Sequence, residues 1–168
     1  GHDLIYELTR ERFREDLRRS LEALRKAGAQ PLGYRAPGFS ITPECLWAFD
    51  EIHAAGFEYD SSVFPAERLH GGLESGEPRP HRLRLDRGKV LEEFPISTTA
   101  ILGRRLAFSG GGYLRLFPLP VLVRWIRRLN ADGLPVIVYL HPRELDPAHP
   151  RLPMPRALSV KSSGLVAL

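Results

Sequence analysis

Short apolar runs alternate along this chain with longer stretches of helical spacing, and that alternation restricts the fold more than any other feature. Thr9 can cap a helix in which Phe13, Leu17, Leu21 and Leu24 recur on one side, and Gly28 can end it. Between those positions Glu15, Arg18 and Arg19 read as a solvated face with pairs three and four residues apart. Leu32 to Arg35 then forms a brief strand leading into the loop Ala-Pro-Gly-Phe-Ser. A second helix is expected from Thr42 and Pro43, a cap followed by proline at the first helical position, through Leu46, Trp47, Phe49, Ile52 and Ala55 to Gly56. The run Phe57-Glu-Tyr59 comes next as a strand ending at Asp60. Strand, loop, helix and strand in this order predict an α/β protein with parallel strands.

Further along, the Gly-, Pro-, His- and Arg-rich stretch from Pro65 to Arg87 reads as an irregular surface loop, and Val90 to Phe94 as a strand. Phe108 to Tyr113 reads as another loop; its glycines lack the spacing and the Gly-Lys-Ser/Thr sequence of a phosphate-binding loop. A third helix is expected over about Leu119 to Ala131, with Val121, Leu122, Trp125, Ile126 and Leu129 on its apolar side. Pro135 to His141 then reads as a buried strand that delivers His141 at its end, where parallel α/β folds build sites. Trp47 and Trp125 are expected in the core, and His53, His70, His81 and His149 on loops or the surface.

The chain of 168 residues, 43% hydrophobic, can bury a sizeable core as one domain. Its longest apolar run, around Val136 to Leu140, is far short of the roughly 20 residues that span a bilayer. Cys45 is the single cysteine, so no internal disulfide can form, and it reads as a buried small hydrophobe. The net charge of +4 does not indicate nucleic-acid binding. The excess is arginine scattered along helices and loops, lysine being confined to Lys26, Lys89 and Lys161, with no basic block interleaved with aromatics.

Three polar residues fall at predicted strand ends: Arg35, Asp60 and His141. Singly, each is an ordinary surface, cap or turn residue. Together they would offer an anion anchor, an orienting carboxylate and a proton donor suited to neutral pH.

These residues lie in segments that carry a resemblance. Gly33-Tyr-Arg-Ala-Pro-Gly-Phe39, Tyr59-Asp-Ser61 and Val138-Tyr-Leu-His141 resemble the third, fourth and fifth motifs of the NodB-homology polysaccharide deacetylases, carbohydrate esterase family four. Gly1-His-Asp-Leu-Ile-Tyr-Glu-Leu-Thr9 is similar to the segment after that family's metal-binding histidine pair. Leu91-Glu-Glu-Phe-Pro-Ile-Ser97, Gly110-Gly-Gly-Tyr113 and Leu140-His-Pro-Arg-Glu-Leu-Asp146 resemble the branch associated with exosortase and exopolysaccharide export.

The resemblance implies a partial, distorted (β/α)7 barrel over residues 1–155 with its first strand or strands missing, an unassigned tail over 156–168, and a bacterial, cytoplasmic or cell-envelope setting. It implies metal-dependent hydrolysis of N-acetyl groups from a polymeric amino sugar, with a divalent cation, commonly zinc, polarising the acetamide and a bound water. His2 corresponds to one metal ligand. The other histidine and an Asp-Asp pair would lie upstream of Gly1, so this chain is expected to be inactive alone. By the same correspondence Arg35 pairs with the catalytic base and the Gly38 amide stabilises the oxyanion. Asp60 orients the acid, His141 protonates the departing amine, and Leu140 lines the acetyl pocket, with Phe39 and Tyr113 on the substrate side. The tryptophan common after the fourth motif is replaced by Val63, Phe64 and Pro65. A small-amide hydrolase of the same superfamily and a non-catalytic carbohydrate-binding module remain as alternatives.

Overall fold

The computed structural model describes residues 2–67 and 71–141. Gly1, His70, His149, the Pro142 to Asp146 part of the fifth-motif run and the 156–168 tail lie outside the described residues. The architecture is mixed α/β, and the chain divides into two compact units, Gly1–Pro95 and Ile96–Leu168.

In the first unit the helical spacing after Thr9 becomes α1, Arg10–Lys26, whose first turn is capped by the Thr9 hydroxyl accepting the Arg12 amide at 3.3 Å. Phe13, Leu17 and Leu21 are buried, whereas Leu24, expected on the same face, is 43% exposed because the buried stripe ends a turn before the helix does. Arg18 pairs with Glu15 and Glu22, and Lys26 with Glu22, along the solvated face.

The second helix is shorter than its sequence suggests. Thr42 starts a separate 3-10 turn, Pro43–Cys45, closed by its own amide donating to the Cys45 sulfur at 3.2 Å, and the α-helix α2 begins only at Trp47 and runs to Ala54. Cys45 is buried, as expected. Phe13 packs edge-on against Trp47 and Tyr34 at 5.9 Å each, joining Ile41, Phe49, Ile52, Phe57, Val63 and Leu91 in one core. Each such side chain removed from water contributes roughly 1.5–3 kcal/mol.

Four short strands form the sheet of this unit: β1 (Gly33–Tyr34), β2 (Tyr59–Asp60), β3 (His81–Arg84) and β4 (Val90–Glu93), in the order β1-β2-β4-β3. β1 and β2 are parallel, as are β2 and β4, and β3 runs antiparallel to β4 at an edge. β3 lies inside the stretch expected to be an irregular loop, and it places His81 in a strand. Its side chains alternate between half-buried and exposed, and exposed Arg82 pairs with Glu92 of β4 at 2.8 Å, the charged guard typical of an edge strand. Gly33 is required by packing: a Cβ there would overlap the Tyr59 ring on the neighbouring strand.

The second unit opens with a hairpin not expected from the sequence, β5 (Thr98–Ile101) paired antiparallel with β6 (Arg104–Ala107). The expected loop from Phe108 to Tyr113 instead turns into a helix, α3 (Gly111–Leu116), despite its glycines. The helix α4 spans Leu119–Ala131 and presents Trp125 to Phe108 and Phe117 at ring distances of 5.5 and 4.9 Å.

The segment expected to be a buried strand, Pro135 to His141, is covered on one side only. Tyr139 alone forms a bridge, parallel to Gly110, while Val138 and Leu140 are exposed. A continuous apolar run does not reveal whether one face or both will be covered. Among the described residues no helix is long and apolar enough to cross a membrane.

Candidate active site

Parallel pairing places the ends of β1, β2 and β4 side by side. Tyr34 is level with Asp60 and Asp60 with Glu93, so these three residues form one row across the sheet, with His81 of β3 completing it opposite Glu93. Residues level with one another in a sheet project to the same face, which brings an aspartate and a glutamate together at its centre.

The two serines after Asp60 connect the strand ends. Ser61 donates its hydroxyl to the Phe94 carbonyl at 2.6 Å and accepts Arg35 Nη2 at 2.8 Å, while its carbonyl accepts Arg35 Nε at 3.0 Å. Ser62 accepts the Ala36 amide at 2.8 Å and donates its own hydroxyl to Asp60 Oδ1 at 2.8 Å. Its amide donates to Asp60 Oδ2 at 2.7 Å. Arg35, predicted as the partner of a carboxylate base, therefore spends two of its donors on Ser61, and its guanidinium carbon lies 5.9 Å from the centre of the Phe39 ring.

Asp60 and Glu93 are both 0% exposed. Glu93 Oε1 accepts the Val63 amide at 3.0 Å, and Glu93 stands level with Asp60 on the neighbouring strand, close enough for the two carboxyl groups to interact. Out of water two ionised carboxylates repel each other, and a hydrogen bond between them requires one to carry a proton. Burial raises the pKa of both above the ordinary carboxyl range, and for Glu93 the negative charge of Asp60 raises it further. Asp60 accepts two hydrogen bonds from Ser62, which favour its ionised form, whereas no hydrogen-bond donor reaches Glu93 Oε2. Of the two, Glu93 is the group whose surroundings oppose a charge more. Burial, with Asp60 as the next cause, also raises the pKa of the Tyr34 hydroxyl.

The loop after β1 is held in an uncommon backbone conformation. Gly38 has φ 61° and Phe39 φ 54°, both left-handed; for a phenylalanine this costs about 1–2 kcal/mol. The conformation is retained by packing, since the buried Phe39 ring lies 5.4 Å from that of Phe64 and its carbonyl accepts the Gly72 amide at 2.8 Å. Gly71 runs close to this path: a Cβ there would lie 2.9 Å from the Phe39 carbonyl oxygen.

His141, Leu140 and Tyr113 belong to the second unit. His141 Nε2 is 2.8 Å from the Tyr139 hydroxyl, with the rings edge-to-face at 4.9 Å. The Tyr139 amide donates to the Ser109 carbonyl at 2.9 Å, and the Ile137 amide to the Ser97 hydroxyl at 2.8 Å. These bonds fix the extended segment that carries His141. Leu140 is 42% exposed and Tyr113 half-buried.

Four residues here were not singled out from sequence: Glu93, Ser61, Ser62 and Tyr139. For Tyr139 the signal was its spacing, two residues before His141 in an extended chain, which puts both on one side. Glu93 likewise stands two residues after Leu91, an apolar residue that is fully buried in β4.

His2 is exposed, and among the described residues no group of three or more His, Cys, Asp or Glu side chains could hold an ion.

The fold is similar to that of a solved structure from Mycobacterium smegmatis described as a candidate polysaccharide deacetylase, with a TM-score of 0.57 and 22% sequence identity over 84% of this chain. The chain spans 46% of that structure's length, and the likeness at this identity is one of fold. No curated protein matches the chain in sequence. Residues 61–165 match the family model of a domain of unknown function, DUF3473, a match that begins at Ser61 of the site and covers the whole second unit to within a few residues of its end. The chain belongs to the DUF3473 family.

Proposed function

We propose that the chain is part of a deacetylase domain of the NodB-homology kind, a distorted (β/α) barrel that hydrolyses N-acetyl groups of a polymeric amino sugar, in the branch associated with exopolysaccharide export. The observation that carries this reading is the placement of Arg35 and Asp60 at the ends of neighbouring parallel strands, in a fold similar to that of a candidate polysaccharide deacetylase. In this reading His141 protonates the departing amine and the Gly38 amide faces the oxyanion. Leu140, Phe39 and Tyr113 form the substrate side. A divalent cation belongs to the proposal as well, with His2 as one ligand and the remaining ligands unassigned.

Acetate release from N-acetylated glucosamine oligomers, with added zinc and after chelation, tests the reading in this chain and in the protein encoded together with whatever precedes Gly1. Chelator-sensitive release by either supports it. Release from small amides but not from oligomers would move the assignment to a small-amide hydrolase. Glycan binding without acetate from either protein would replace the enzyme with a carbohydrate-binding module.

A further inference from the structure

We propose that Glu93 is a positioning residue of the candidate site, a neutral carboxylic acid whose hydroxyl donates to the Asp60 carboxylate while its carbonyl oxygen accepts the Val63 amide. The geometry of the buried row carries this. One side chain on β4 reaches the carboxylate at the end of β2 and the backbone just beyond it, and both acids are withdrawn from water. A group in this place fixes where Asp60 points, and through Ser62 and Ser61 it fixes where Ala36 and Arg35 stand at the end of β1. The role of Glu93 in turnover rests on the deacetylase reading; its protonation and its hold on the loop do not.

The charged and titratable groups facing Glu93 are Asp60 on β2, Tyr34 and Arg35 at the end of β1, and His81 level with it on β3. Asp60 opposes a second negative charge at this position, and the positive charge of Arg35 offsets that only in part. When Glu93 loses its proton, two carboxylates face each other out of contact with bulk solvent, and the hydrogen bond between them is lost. The Asp60–Ser62 and Arg35–Ser61 contacts then lose their common support.

The test uses the full chain and two variants. Glutamine at this position supplies an N–H for Asp60 and a carbonyl for the Val63 amide, so Glu93→Gln retains both contacts without a titrating group. Glu93→Leu supplies neither. Infrared spectra at pH 7 are expected to show a protonated-carboxyl stretch in the wild type that is absent from Glu93→Gln. The Ser62 and Val63 amide resonances are expected to shift together in alkaline solution in the wild type, and to stay put in Glu93→Gln. Absence of that infrared band, its persistence in Glu93→Gln, or amide resonances that titrate equally in both proteins would overturn the proposal.

In the acetate assay, applied to whichever protein proves active, Glu93→Leu is expected to lower kcat roughly tenfold or more with little change in KM, as for a misplaced catalytic group. Glu93→Gln is expected to rescue most of that loss while removing the alkaline fall in rate. Equal kcat in Glu93→Leu and wild type would overturn the positioning role. If no protein releases acetate, the deacetylase reading fails, and the spectra and resonances alone decide the assignment of Glu93.

Discussion

Glu51 and Glu93 are both buried glutamates, and their surroundings give them opposite charge states. Glu51, on α2, accepts Arg14 Nε and Nη2 at 2.7 and 2.8 Å and Arg10 Nε at 2.6 Å. The Arg14 hydrogen bond, with Arg10 adding to it against the opposing effect of burial, holds its carboxyl down at about 2. A folded pKa below the ordinary 4.5 stabilises the fold above that value, and the contribution is lost as the pH falls through about 2. Glu51→Gln should therefore cost about 1–3 kcal/mol at pH 7, toward the lower figure because both arginines are largely exposed. Denaturant melts should also show a weaker loss of stability in acid than in the wild type; an unchanged acid limb would mean that the α1–α2 pairing contributes nothing.

For Glu93 the sign reverses. Its pKa is raised by burial and by Asp60, so its contribution is complete below the ordinary 4.5 and is lost as the pH rises toward its folded value. Urea melts between pH 5 and 9 should show wild-type stability declining as the pH rises, with a flatter profile in Glu93→Gln. Glu93→Leu leaves the Asp60 charge and the Val63 amide without this partner, a change of about 3 kcal/mol or more. A leucine variant as stable as wild type would contradict a buried pair of this kind.

At the scale of elements, the helices were legible because their signal repeats. Phe13, Leu17 and Leu21 define α1, and α4 occupies the expected Leu119 to Ala131. The strands are two to four residues long, too short for any periodicity to show, so β1, β2 and β4 were found from their flanking loops. β3 was hidden by its arginines, which suit a solvated edge as well as a loop. The β5–β6 hairpin was hidden by its turn. Leu102 and Gly103 link the strands with φ values of 50° and 77°, positive at both central positions as in the Asn-Gly turns of hairpins, but with leucine where asparagine is favoured. Leu102 is 98% exposed and gains nothing from packing there. Leu102→Asn is therefore expected to raise stability by about 0.5–1 kcal/mol, read as a higher melting temperature; a lower one would show that the leucine side chain stabilises the turn. Gly71→Ala should do the reverse, because a left-handed φ of 64° and the nearby Phe39 carbonyl both resist a Cβ.

Across the whole molecule, loops and apolar runs in the sequence were enough to place Arg35 and Asp60 at strand ends, whereas the strand expected to deliver His141 is reduced to a single bridge at Tyr139. The partners came only from the fold. Which glutamate of the Glu92-Glu93 pair turns inward depends on strand register, since one residue's shift exchanges the faces, and register comes from the pairing of β2 with β4. Sequence spacing could likewise suggest Tyr139 beside His141, but the hydrogen bonds of Ser97 and Ser109 to that segment join residues 30 or more positions apart. In the deacetylase reading, His141 is the acid of an amide hydrolysis, the group that releases the amine. The measurement that tests it most directly is kcat for acetate release by His141→Ala against wild type, in whichever protein is active and with metal content determined alongside. A fall of about a hundredfold or more at unchanged metal content is the predicted result; equal turnover would contradict the role of His141 and the reading built on it.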